Sequence, residues 1–103
     1  MPDHKMHMLC DEMLLGQTYP EVHKYLDAYQ PLLQSKHREY NHDEETIQRV
    51  IEMTGDTIMG WSAYYHIILD EISDEVGQEV ALAHLMRKVW NGEIENPFIT
   101  III

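Results

Sequence analysis

Apolar residues recur along this chain at intervals of three and four, broken by glycine, proline and capping residues, and that rhythm predicts helices almost throughout. Met6, Leu9, Cys10, Met13 and Leu14 form a first stripe, with Asp3 placed to cap the helix and Gly16 to stop it near Leu15. Thr18, Tyr19, Pro20 and Glu21 read as a second start, with Thr18 as the cap, proline in the first turn and an acid three residues after the cap. Val22, Leu26 and Tyr29 carry that helix to Pro31, which lacks an amide hydrogen and should break or kink it.

From Leu32 a longer stripe runs through Leu33, His37, Tyr40, Glu44, Ile47, Ile51 and Thr54 to Gly55. Asp56 and Thr57 can cap a fourth helix, whose stripe is Ile58, Trp61, Ser62, Tyr65, Ile68, Leu69 and Ile72. Ser73 offers another cap, and Val76, Val80, Ala83, Met86 and Trp90 continue the stripe to Gly92, with acids at the start and Arg87 and Lys88 at the end to suit the helix dipole. After it, PFITIII is β-branched and short, an extended tail or edge strand. The expectation is an all-α fold: a compact bundle of four to five helices in residues 1–92, with an extended apolar tail in residues 93–103.

At 103 residues the chain has room for one core, and 45% apolar with 24% charged residues is a globular composition. Seven Lys and Arg against eighteen Asp and Glu leave a formal charge of −11, which disfavours nucleic acid and anionic membranes as direct ligands and favours a cation or a basic protein partner. One cysteine, Cys10, in an apolar run reads as a small core residue in a reducing, cytoplasmic setting. No secretory leader pattern is evident, and no apolar run is long enough to span a bilayer.

The histidines change the picture. His7, His23 and His66 each have an aspartate four residues on, at Asp11, Asp27 and Asp70. On a helix that spacing puts imidazole and carboxylate on one face, where they can share a metal or act as ligand and orienting acid. The competing reading is three local surface ion pairs worth a few tenths of a kcal/mol each. Residues 35–46, SKHREYNHDEET, add an E-x-x-H step at Glu39 and His42, the spacing that di-metal carboxylate bundles use in pairs. The periodicity turns His37, Tyr40 and Glu44 inward and His42 outward, and an inward histidine and acid need partners. Trp61, Tyr64, Tyr65 and His66 put aromatic bulk and an imidazole near the fourth stripe.

The metal reading therefore gathers His23, Asp27, His37, His42, Glu44, His66 and Asp70, an N/O donor set suited to zinc, iron, nickel or manganese. YPEVHKYLD followed by KHREYNH resembles a group of small uncharacterised microbial proteins with an H-x-x-x-D step followed by H-R-x-x-x-H. The resemblance spans residues 19–55, implies a helical fold and a shared polar site at His23, Asp27, His37, Arg38 and His42, and brings no established activity; Pro31 departs from its pattern. No phosphate loop, nucleophile elbow or H-E-x-x-H is present. The alternative to a metal protein is an acidic interaction module or inhibitor, including a nucleic-acid mimic directed at a basic partner. The tail Phe98, Ile99, Ile101, Ile102 and Ile103 lacks a strand partner, so it predicts a homodimer through paired tails.

Overall fold

Helix α4 (Thr57–Val76) is the axle of the molecule, and α1 (His4–Leu15), α2 (Pro20–Leu26), α3 (Glu44–Thr54) and α5 (Gln78–Trp90) all pack against it. The computed structural model describes residues 4–27 and 44–98, and every regular element among them is helical, as the periodicity predicts. Asp3, Tyr29, Pro31, His37, Tyr40, His42 and residues 99–103 lie outside the described residues, and with them the tail-paired homodimer and the first half of the long third helix.

Because α4 is surrounded, its buried surface is an arc rather than a stripe: Ser62, Tyr65, Leu69 and Ile72 face inward as expected, and Gly60, Ala63, His66, Asp70 and Ser73 join them. Its start is the predicted one, with Asp56 Oδ1 accepting from the Ile58 amide at 2.8 Å. The second helix starts differently. Tyr19, not Thr18, precedes it without a side-chain cap, and Pro20 opens the first turn. The reason is tertiary: the Tyr19 amide donates to Asp11 Oδ2 at 3.0 Å, which anchors the chain one residue later than the capping pattern suggests.

Three stripes are rotated from their predicted faces. On α1 the buried residues are His7, Cys10, Asp11, Leu14 and Leu15, while Leu9 and Met13 are exposed, because the inward polar pair turns the helix away from its outer hydrophobes. On α3, Thr46 and Val50 are buried, Ile47 and Ile51 are half-buried, and Glu44 and Thr54 are exposed. A side chain at Gly60 would place its Cβ 2.5 Å from Ile51 Cγ1, so the bare glycine lets Ile51 lie directly against α4.

On α5 the seam is Ala81, Leu85 and Val89, with Val80 and Trp90 exposed. Ser73 is not a cap: α4 runs through it to Val76 and ends at Gly77, whose φ of 90° favours glycine and whose amide donates to the Ser73 carbonyl at 2.8 Å. That break resets the helical phase, so a stripe read continuously across it arrives on the wrong face. At the far end, Glu93 N donates to the Lys88 carbonyl and Gly92 N to the Val89 carbonyl, the paired bonds of a Schellman stop. The chain is then tied back: Tyr65 Oη donates to the Glu95 carbonyl at 2.6 Å and Asn96 Nδ2 to the Leu14 carbonyl at 3.0 Å.

Candidate metal centre

The three H-x-x-x-D steps converge. His7 comes from α1, His23 from α2 and His66 from α4, all buried, and one ring nitrogen from each lies within 4.8 Å of the others. The rings are stacked: His7 and His66 have centroids 3.6 Å apart and planes 10° apart, while His23 lies 5.0 Å from His66 and 5.3 Å from His7. Exposed His4 stands edge-on to His23 at the rim, 5.9 Å away.

The aspartates follow a rule that helical spacing does not suggest. Each pairs with the histidine of another helix, in a closed cycle. His23 Nε2 lies 2.6 Å from Asp11 Oδ2, His66 Nε2 lies 3.3 Å from Asp27 Oδ1, and His7 Nε2 lies 3.2 Å from Asp70 Oδ1. His66 also approaches the aspartate of its own step, with Asp70 Oδ2 at 3.5 Å. The steps therefore bind α1, α2 and α4 to one another rather than decorating each helix with a local ion pair.

Asp11 is held from several sides. Besides His23 it accepts from the Tyr19 amide on Oδ2 and from Ser62 Oγ on Oδ1 at 2.8 Å, which satisfies a fully buried carboxylate from three sides. His23 passes the contact on, its Nδ1 lying 2.8 Å from His66 Nδ1. Burial pushes the His66 imidazole down to about 4, against the raising effect of its Asp27 and Asp70 neighbours, so the ring is neutral at neutral pH. For Asp27 burial opposes ionisation, and the His66 hydrogen bond together with the His66 and His7 charges outweighs it, holding the carboxyl below its ordinary value. Among the described residues His7 Nδ1 is buried without a hydrogen-bond partner. A neutral His66 imidazole beside an ionised Asp27 is the protonation state that metal ligation requires.

Of the residues expected to form the site, His23, Asp27, His66 and Asp70 meet in this chamber. His37 and His42 lie outside the described residues, and Glu44 is exposed in the first turn of α3. The expected set left out His7 and Asp11, although they carry the same four-residue step as the other two pairs. Ser62 had no signal beyond its place one turn before His66. Cys10 is adjacent in sequence but contributes no thiolate, since burial, reinforced by the Asp11 charge, pushes its pKa well up. No helix among the described residues is long and apolar enough to cross a membrane. Comparison with protein-family models, with curated proteins and with solved structures finds no match for the chain.

Proposed function

We propose that this protein binds a single divalent transition metal in the chamber formed by the three histidine–aspartate steps. The observation that carries the reading is the convergence of three buried imidazoles, one nitrogen from each within 4.8 Å, on three separate helices. Burying three histidines and two aspartates against one another, with Asp27 at the rim, is costly unless their charges and lone pairs are matched, and a dication matches several at once. The donors are imidazole nitrogen and carboxylate oxygen with no thiolate, a set suited to zinc, iron, nickel or manganese rather than to copper(I). Because the ligands come from α1, α2 and α4, binding would also clamp the bundle.

The test is elemental analysis of protein purified without a polyhistidine tag. The expected result is about one metal ion per chain, lost on dialysis against a chelator and restored by the ion alone. A chain that purifies empty and takes up none of the four ions at micromolar concentration contradicts the reading.

A further inference from the structure

His7, His23 and His66 all turn the same ring nitrogen toward a carboxylate. His23 Nε2 lies 2.6 Å from Asp11 Oδ2, His7 Nε2 lies 3.2 Å from Asp70 Oδ1, and His66 Nε2 lies 3.3 Å from Asp27 Oδ1. Asp11 already accepts from the Tyr19 amide and the Ser62 hydroxyl, so it accepts from His23 as well, and His23 Nε2 carries the hydrogen. His66 is likewise hydrogen-bonded to Asp27, and that bond helps hold the Asp27 carboxyl below its ordinary value. The same edge of His66 also faces Asp70 Oδ2 at 3.5 Å.

The opposite nitrogens have the complementary property. A neutral imidazole whose hydrogen sits on Nε2 is an acceptor at Nδ1. His23 Nδ1 and His66 Nδ1 stand 2.8 Å apart, a distance that two acceptors hold only with a cation between them, either a proton or a metal ion. His7 adds a third such atom. Its ring stacks on His66 with centroids 3.6 Å apart, and its Nδ1 is buried without a hydrogen-bond partner among the described residues. A proton serves one pair of nitrogens, whereas a metal ion serves three.

We infer, on the basis of the metal-binding reading above, that the metal is held by Nδ1 of His7, His23 and His66, while Asp70, Asp11 and Asp27 take the Nε2 hydrogens and do not touch it. This narrows the donor set to imidazole alone. The aspartates are positioning residues, since the carboxylate that accepts a ligating histidine's other N–H fixes both its tautomer and its ring orientation. The cyclic exchange of partners follows the same logic: each ring is gripped by its own helix and by an aspartate from another, so α1, α2 and α4 jointly aim the three nitrogens.

Zinc and cobalt(II), added to chelator-treated full-length protein, are the probes. Long-range proton–nitrogen-15 NMR of the zinc form reads which nitrogen of each ring carries the hydrogen, and His7, His23 and His66 are all expected in the Nε2–H form. X-ray absorption is expected to show three imidazoles. An Nδ1–H form for any of the three rings, or fewer than three imidazoles, overturns the assignment while leaving metal binding itself standing. Asp27→Ala, at the partly exposed rim, is expected to weaken zinc by about 10–100-fold, the usual effect of losing an orienting partner, and to leave the cobalt(II) ligand-field bands at their wild-type positions. Asp27→Asn keeps an acceptor oxygen and is expected to recover most of that loss. Circular dichroism checks that each variant is folded. Displaced cobalt(II) bands in Asp27→Ala would make Asp27 a ligand, and wild-type zinc affinity there would mean that it orients nothing; either result overturns its role. A wild-type chain that binds neither ion overturns both this inference and the metal-binding reading.

Discussion

The α4–α5 seam and the histidine–aspartate chamber are both buried and both centred on α4, yet they are built on opposite principles. In the seam, Ala81, Leu85 and Val89 are buried apolar side chains whose contribution scales with area and is indifferent to direction. In the chamber, His7, Asp11, His23, His66 and Asp70 are just as buried, and each is tolerable only because another helix supplies its partner. The seam can lose a side chain and still be a seam. The chamber is conditional, since removing one member strands another.

Asp11→Ala should therefore be the most damaging single change. It removes the acceptor of the Tyr19 amide, the Ser62 hydroxyl and His23 together, and stranding buried polar groups in this way costs about 3–5 kcal/mol. Urea denaturation measures it, and a loss below about 1 kcal/mol would mean that the chamber tolerates missing members as an apolar core does. Leu85→Ala, the matching change in the seam, should cost about 2–5 kcal/mol through lost transfer energy and a residual cavity, with no effect on metal uptake.

Acid separates the two regions without mutation. In the metal-free chain the folded pKa of His66, about 4, lies below the ordinary 6.5, so between those values the unfolded chain binds the extra proton. Its contribution is present above pH 6.5 and is lost as the pH falls toward 4, an effect on the order of 3 kcal/mol. Asp27, also depressed, keeps its contribution until the pH falls below the ordinary carboxyl range. Denaturant midpoints at pH 7, 5.5 and 4.5 should fall in that order for the wild type and fall much less for His66→Gln. The smallest effect lies away from both regions: Asp56→Ala, which removes the α4 cap, should cost about 1 kcal/mol by the same assay and leave the acid sensitivity unchanged.

The same contrast explains what could be read from the sequence. The all-α class and several helix ends were legible, because Gly16, Asp56 and Gly92 act through their own local chemistry. The buried faces of α1, α3 and α5 were less so. On α1, periodicity counted Leu9 and Met13 as inward and could not count His7 and Asp11, whose burial depends on groups from other helices. On α5 the phase was lost at Gly77, and on α3 the close approach at Gly60 decided which isoleucines met α4. The chamber was half legible: spacing marked all three His–Asp steps, but it implied pairing within each helix. The cyclic exchange of partners among α1, α2 and α4 is a property of packing that spacing does not encode.

The most direct test of the metal chamber compares thermal unfolding with and without zinc. Chelator-treated wild-type protein, Leu85→Ala and His66→Gln would be melted alone and with zinc at about a hundred times the dissociation constant measured for the wild type. Ligation confined to the folded state should raise the midpoint by on the order of 10 °C in the wild type and equally in Leu85→Ala, and leave His66→Gln unmoved. An unchanged wild-type midpoint, or the same rise in His66→Gln, would contradict a metal held in this chamber.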